Sequence, residues 1–128
     1  TCYGLGWPDG PLSFEAMVLE QVRAAISLSV MSRRRPFEVA GAGGFVMSTD
    51  VDELEGAFVT DEDSADNAEI VIVREIPEIV EKARFYLSND RARERIWRRG
   101  HDRAHQDHTW ERRFREVISK AGWSLPKP

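Results

Sequence analysis

The sequence predicts an α/β fold in which a parallel β-sheet is flanked by helices and followed by a helical carboxyl-terminal tail. Up to residue 73, short segments with strand patterns alternate with segments of helical periodicity, which is typical of a parallel sheet covered on both faces. The segment 70–73 is a continuous run of β-branched residues, as buried parallel strands are. After residue 73 the periodicity is helical only, and the whole pattern indicates a Rossmann-like domain.

The chain is expected to open with a strand, a helix and a second strand. Residues 2–5 are predicted to form a strand that leads into a loop rich in glycine and proline. Ser13 is a good N-cap for a helix that ends near residue 24, because apolar residues recur at helical spacing after it. Residues 26–30 then alternate apolar and polar side chains, as a strand does.

Small residues and glycines mark the next elements. A helix rich in small residues is predicted over residues 34–42, and two glycines end it before a strand over residues 45–48. Asp50 is placed to cap a short helix over residues 51–58. The acidic stretch 60–68 is expected to be a surface loop, since it lacks any apolar periodicity.

Three helices are predicted after the strand over residues 70–73. The first starts near Pro77, and residues 88–90 end it and cap the second. Thr109 caps the third. The apolar residues of the second and third helices are expected to face a core, and these are Ala92, Ile96, Trp97, Ala104, Trp110, Phe114, Val117 and Ile118.

Composition limits the size and class of the protein. With 128 residues, of which 41% are hydrophobic and 31% charged, residues 1–128 are expected to form one domain or part of one. About four strands are predicted, which is fewer than the roughly five or six of a complete doubly wound domain. Thr1 in place of a starting methionine also favours a piece of a larger protein. No apolar run is long enough to span a membrane, so a cytoplasmic location is expected.

Charge is distributed unevenly along the chain, although the net charge is only −4. Residues 50–69 are acidic and residues 91–115 are basic. The simpler interpretation is that the arginines of the basic segment form solvated helix faces with acidic partners. The alternative, a nucleic-acid surface, is weakened by the acidic overall charge and by the spacing of the aromatic residues, so no nucleic-acid partner is expected.

Glu38 is the leading candidate for a binding residue. Pro36 favours the first turn of a helix, and the small residues after Glu38 allow that helix to lie close to a sheet. The amino end of the helix would then face the carboxyl edge of the sheet, where open α/β sheets bind ligands. Helix amino ends attract phosphate, and a carboxylate accepts hydrogen bonds from ribose hydroxyls. The segment therefore predicts a nucleotide site.

Other residue combinations favour different chemistry less strongly. His101, His105 and His108 have a spacing that allows a transition-metal site on one helix face, although surrounding charges and the new helix at Thr109 argue against it. Cys2 is the only cysteine, which excludes an internal disulfide and a cysteine zinc site. The glycines at residues 41–44 follow a helix and precede a strand, the reverse of a dinucleotide fingerprint. The acidic clusters lack calcium-loop spacing and are expected to be solvated.

Three motifs in order resemble a known family. They are Arg-Pro-Phe-Glu-Val-Ala-Gly-Ala-Gly-Gly-Phe at 35–45, Glu-Arg-Ile-Trp-Arg-Arg-Gly-His-Asp-Arg at 94–103 and His-Thr-Trp-Glu-Arg-Arg at 108–113. Together they resemble the carboxyl-terminal half of group 1 glycosyltransferases, and most closely the spore-maturation type. The resemblance covers nearly the whole chain, from Gly4 to about Ile118.

The resemblance implies an architecture and a substrate. Such enzymes, of the GT-B fold, pair two nucleotide-binding-like α/β domains across a cleft, and the carboxyl-terminal domain binds a nucleotide-sugar donor. It implies that this chain is the donor-binding half of a retaining-type glycosyltransferase and that an amino-terminal acceptor-binding domain is missing from it. The donor is a substrate, so no cofactor and no metal is implied.

The resemblance also implies roles for individual residues. Glu38 would accept hydrogen bonds from the donor ribose. In the family the basic residues that hold the donor diphosphate come from the first strand and helix of this domain, which are expected to precede Thr1. Arg33, Arg34 or Arg35 are candidates to help. Trp7 is most simply a core or interface anchor; the alternative is that the turn containing Gly6 and Trp7 lies near the base and that the Trp7 ring stacks on it. No catalytic residue is assigned, since a catalytic base would belong largely to the missing domain.

One departure from the family pattern supports an alternative function. The family often carries another glutamate eight residues before Glu38, and this chain has Val30 there. A donor-sugar contact through that first carboxylate is therefore absent. The alternative is a non-catalytic interaction module that keeps the fold but has lost donor chemistry.

Overall fold

The computed structural model describes residues 10–49, 52–54 and 56–123, apart from the side chain of Glu53. Residues 2–5, for which a strand is predicted, lie outside this part of the chain.

The described part of the chain contains one parallel sheet with the spatial order β1, β2, β3. The strands are β1 (Ser27–Ser29), β2 (Val46–Thr49) and β3 (Val71–Val73). Both neighbouring pairs are parallel. The three strands predicted in this part are confirmed, with ends that differ by one or two residues.

Five helices accompany the sheet in the described residues: α1 (Phe14–Arg23), α2 (Arg35–Ala42), α3 (Ile76–Leu87), α4 (Asp90–Asp107) and α5 (Trp110–Lys120). The predicted caps at Ser13 and Thr109 are confirmed, because both hydroxyls accept hydrogen bonds from N–H groups in the first turns of α1 and α5. The cap predicted at Asp50 lies outside the described residues. Gly43 ends α2 in the left-handed conformation, with φ of 88°. The α/β, Rossmann-like fold class is therefore confirmed. Among these helices, none combines the length and apolar character needed to cross a membrane.

The short helix predicted over residues 51–58 is wrong. The structure has a single 3₁₀ turn there, Asp52–Leu54. Gly56 adopts φ of 72°, a left-handed conformation that does not continue a right-handed helix. The turn brings both Leu54 and Phe58 into the core, where each is almost fully buried.

The core lies on both faces of the sheet. One face carries a cluster formed by α2, the 3₁₀ turn, alternate residues of β2 and β3, and the end of α4; its buried members are Val39, Ala40, Val46, Leu54, Phe58, Ile70, Ile72 and Ala104. The other face packs against α3 and the start of α4, with buried residues Phe45, Met47, Ala68, Val71, Val73, Tyr86, Ala92 and Ile96. Burial on both faces explains why β3 is apolar without alternation.

Helix α4 joins the two faces by passing the amino-terminal end of β3. Its first half contributes Ala92 and Ile96 to one cluster, and its second half contributes Ala104 to the other. Gly100, between the two halves, lies so close to the backbone before β3 that a Cβ at this position would be 2.5 Å from the Glu69 carbonyl oxygen. Only glycine allows this approach. The second half of α4 then packs along α2, where a Cβ at Gly41 would lie 3.9 Å from Ala104 Cβ.

The expectation that the aromatic residues of the last helix face a core is wrong. Trp110 is 74% exposed and Phe114 is 61% exposed, and α5 has no buried residue. Trp97 of α4, by contrast, packs against the second cluster as expected. The apolar spacing identifies the helix α5 but does not specify that this face is covered by other elements.

The stretch 60–68 is a loop as predicted, but its acidic residues are not all solvated. Asp61 Oδ1 accepts a hydrogen bond from the Ile72 N–H at 2.8 Å, and Asp61 Oδ2 accepts one from Lys82 Nζ at 2.8 Å. The same Lys82 ammonium donates to the Ile72 carbonyl oxygen at 2.7 Å. Asp61 therefore ties the loop to β3 and α3.

We predict that Gly100→Ala destabilises the fold. The added Cβ meets the Glu69 backbone, which has to move, so the free energy of unfolding should fall by about 1–3 kcal/mol although alanine is the better helix former. The matched control is Gly41→Ala, whose Cβ makes only an ordinary contact and which should be neutral or slightly stabilising. Urea unfolding measures both. Equal stability of the two variants would contradict the close packing at Gly100.

Candidate functional site

A cavity of about 620 Å³ lies between the amino end of α2 and the first turn of α5. Its lining residues are Arg33, Arg34, Phe37, Glu38, Ala57, His108, Trp110 and Arg113. They come from three parts of the chain: the loop after β1 with the start of α2, the turn after the 3₁₀ helix, and the α4–α5 junction. The site therefore exists only once α4 has brought the end of the chain back beside α2.

Glu38 lines this cavity from the first turn of α2. Its side chain is 31% exposed, and it forms a long ion pair with Arg35, whose Nε lies 3.9 Å from Glu38 Oε2, too far for a hydrogen bond. The carboxylate is therefore partly exposed to the cavity although it has this cationic neighbour. The role predicted for Glu38 stays a prediction.

The arginines before Glu38 differ in their surroundings. Arg33 and Arg34 line the cavity, whereas Arg35 is directed differently: its Nη1 lies 3.6 Å from Met17 Sδ on α1. The loop that carries them is held by the Ser32 hydroxyl, which accepts a hydrogen bond from the Arg35 N–H at 3.2 Å. Arg33 and Arg34 are thus better placed than Arg35 among the three predicted phosphate contacts. Their roles, like that of Arg35, stay predictions.

Two other predicted site residues, Gly6 and Trp7, lie outside the described residues. The proposed contact of this turn with a nucleotide base therefore stays a prediction as well.

Sequence reasoning missed the wall that α5 contributes. Trp110 was assigned to a core and Arg113 to a solvated helix face, yet both line the cavity. His108 also lines it, beside Phe37 and Ala57. The available signal was the motif at 108–113, which holds His108, Trp110 and Arg113 together, but nothing in their spacing indicates that they face Glu38.

The first turn of α5 is held in place by a charge network at the end of α4. Asp107 Oδ2 accepts a hydrogen bond from Arg103 Nη1 at 2.8 Å, and Asp107 Oδ1 lies 3.1 Å from Arg112 Nη2 on α5. The Arg103 hydrogen bond is the main cause that lowers the pKa of Asp107; desolvation opposes it, and the charges of Arg112, Arg103 and His108 lower it further. The ionised form of Asp107 is therefore favoured, and it bridges the two helices.

The three histidines bind carbonyl oxygens, which leaves no support for the metal alternative. His105 Nε2 lies 2.9 Å from the Gly41 oxygen and His101 Nδ1 lies 3.3 Å from the Ala40 oxygen, so both rings contact the last turn of α2. His108 Nε2 donates to the Ala57 oxygen at 2.7 Å. In the described ranges, no group of three or more His, Cys, Asp or Glu residues is arranged to hold a metal ion. His108 thus bridges the α4–α5 junction to the backbone at Ala57.

The chemistry of the cavity suits a ligand with both polar and aromatic parts. Three guanidinium groups, from Arg33, Arg34 and Arg113, surround a space that also contains one carboxylate. Phe37 and Trp110 supply aromatic surface in the same space. Guanidinium groups bind phosphates through paired hydrogen bonds, carboxylates accept from hydroxyls, and rings stack on bases. A nucleotide carries all three complementary groups.

Comparison with known proteins gives one match. The model of a protein family described as "Glycosyl transferase-like" matches residues 1–119, which is most of the chain. No curated protein and no solved structure matches the chain.

We predict that the His108 hydrogen bond stabilises the α4–α5 junction. His108→Phe keeps a ring beside Phe37 and Phe58, whose centroids lie 5.0 and 5.1 Å from the His108 ring, but leaves the Ala57 carbonyl without its donor. The free energy of unfolding should fall by about 1–3 kcal/mol. Urea unfolding tests this against Gln106→Ala, an exposed position on the same helix where a change within about 0.5 kcal/mol is expected. A wild-type unfolding midpoint for His108→Phe would refute the stabilising role.

Proposed function

We propose that this chain, which belongs to the glycosyl transferase-like family, is the donor-binding part of an enzyme that transfers a sugar from a nucleotide-sugar to an acceptor. The observation that carries the proposal is the combination of Glu38 with Arg33 and Arg34 around one cavity at the amino end of α2. A carboxylate and two guanidinium groups at a helix amino end match the ribose and the diphosphate of such a donor.

Glu38 is proposed to hold the ribose. Its carboxylate is partly exposed, lies 3.9 Å from Arg35 Nε without a hydrogen bond to it, and lines the cavity. Two oxygens of one carboxylate can accept hydrogen bonds from two neighbouring hydroxyls, which fixes the orientation of the sugar ring. Because the ribose joins the base to the diphosphate, fixing the ribose sets the direction in which the diphosphate extends from it.

Arg33 and Arg34 are proposed to act on the diphosphate. Glycosyl transfer passes through an oxocarbenium-like state, by analogy with glycoside hydrolysis, while negative charge develops on the leaving diphosphate. Guanidinium groups already in position at that charge lower the barrier without reorganising. Binding energy from the remote nucleotide also helps to position the reacting sugar. The donor is the substrate, and the proposal calls for no cofactor.

The finer features of the resemblance belong to the same proposal. We propose membership of the group 1, spore-maturation-type subgroup and a GT-B architecture in which a second α/β domain binds the acceptor. The cavity supplies binding groups and no evident catalytic base, which is consistent with a donor half that binds nucleotide but does not turn over alone. A cytoplasmic location is proposed on the ground that nucleotide-sugars are its substrates.

The alternative is a non-catalytic interaction module, and Val30 favours it. The side chain of Val30, just after β1, is 59% exposed and apolar, so it offers no hydrogen bond to a donor sugar. The two proposals differ in whether the cavity binds a nucleotide.

Calorimetric titration of the chain distinguishes them. UDP and GDP are titrated, each beside its 2′-deoxy analogue, together with TDP. We expect binding of at least one, and Glu38→Gln should weaken it by about tenfold to a hundredfold, since a hydrogen bond to a charged group contributes about 1.5–3 kcal/mol. The wild type should prefer the ribonucleotide to its 2′-deoxy analogue, and Glu38→Gln should lose that preference.

Glu94→Gln is the matched control. It removes one carboxylate from α4 that pairs with Arg98 and does not line the cavity, so affinity should stay at the wild-type value. Absence of binding for every nucleotide would refute the donor-binding proposal and favour the interaction module. Unchanged affinity of Glu38→Gln would refute only the assignment of Glu38.

A further inference from the structure

We infer that helix α5 forms part of the donor site and that Arg113 binds the donor diphosphate. This inference rests on the proposed function, because it names a further residue for the same ligand. The elements that suggest a nucleotide site from the sequence, the loop after β1 and the start of α2, supply only one side of the cavity. The first turn of α5 supplies another side through Trp110 and Arg113.

The guanidinium of Arg113 is held at the cavity by an aromatic ring. Arg113 Cζ lies 5.1 Å from the centroid of the Phe37 ring, a cation–π contact. Phe37 is itself fixed, because its centroid lies 5.1 Å from that of Phe58 and 5.0 Å from that of His108. The contact with the ring face positions the cation without using a carboxylate, so its N–H donors remain for an anion.

Arg113 differs in this respect from the other basic residues of its helix. Arg115 pairs with Glu111 at 2.8 Å, Lys120 with Glu116 at 2.6 Å, and Arg112 with Asp107 at 3.1 Å. In the part of the chain that the structure describes, Arg113 is the basic residue of α5 that pairs with no carboxylate. The Glu116 carboxylate feels the charge of Arg113 but forms its ion pair with Lys120. A cation that lines a cavity and has no carboxylate paired with it favours binding of an anion.

The balance of charge in the cavity points to the diphosphate as that anion. Among the described residues that line the cavity, three are arginines, Arg33, Arg34 and Arg113, and one is a carboxylate, Glu38. The first two arginines precede α2 and the third is on α5, so a ligand in the cavity meets cations from two separate elements. A diphosphate has acceptor oxygens on two phosphorus atoms and can bind both sets at once.

The test uses the nucleoside diphosphate, among UDP, GDP and TDP, that the wild-type chain binds most tightly. Arg113→Gln should weaken its affinity by about tenfold or more, the expected loss of a charge-assisted hydrogen bond. The affinity of Arg113→Gln should also depend less steeply on salt concentration than that of the wild type, because one ionic contact is gone. Arg113→Lys, which keeps the charge but not the planar donors, should fall between the two.

Arg115→Gln is the matched control, since it removes one positive charge from the exposed side of the same helix. Its affinity and salt dependence should match the wild type. The inference is overturned if Arg113→Gln binds with wild-type affinity, or if it loses affinity with an unchanged salt dependence. In either case the proposed function still stands as long as nucleotide binding depends on Glu38. A wild-type chain that binds none of the three nucleotides overturns both.

Discussion

The arrangement of this domain depends on the close contact between α4 and the backbone around β3 and α2. Gly100 lets α4 pass the end of β3 so closely that a Cβ at this position would lie 2.5 Å from the Glu69 carbonyl oxygen. Gly41 lies where α2 and α4 approach each other further along. At this separation His101 and His105 reach the carbonyl groups of Ala40 and Gly41 in the last turn of α2, where carbonyl groups lack partners further along the same helix. The contact therefore fixes the direction of α4 and, through it, where the chain ends.

The candidate site follows from that direction. Because α4 runs antiparallel to α2, its last residue brings His108 beside Phe37 at the amino end of α2. The network of Arg103, Asp107 and Arg112 then sets the start of α5 at the same place. Packing far from the cavity thus determines that Arg113 and Glu38 line one space.

Several predictions were correct because they depend on local chemistry. The N-caps at Ser13 and Thr109, the stop at Gly43 and the buried strand β3 each follow from a few neighbouring residues. The errors arose where a local pattern has two structural outcomes. The periodicity of Trp110 and Phe114 identifies a helix correctly, but it does not specify whether the apolar face is buried. The acidic loop was expected to be solvated, yet Asp61 has partners on β3 and α3 that lie far away in the sequence.

The sequence by itself determined the α/β class, most element boundaries and the location of Glu38 at the start of a helix. These features depend on backbone propensity, hydrophobic periodicity and capping, which act over a few residues. Only the tertiary structure decided that Arg34 rather than Arg35 lines the cavity and that the opposite wall comes from α5. Contacts such as that between Arg113 and Phe37 join residues far apart in the chain. They form only after α4 has packed against α2, and no local pattern encodes that packing.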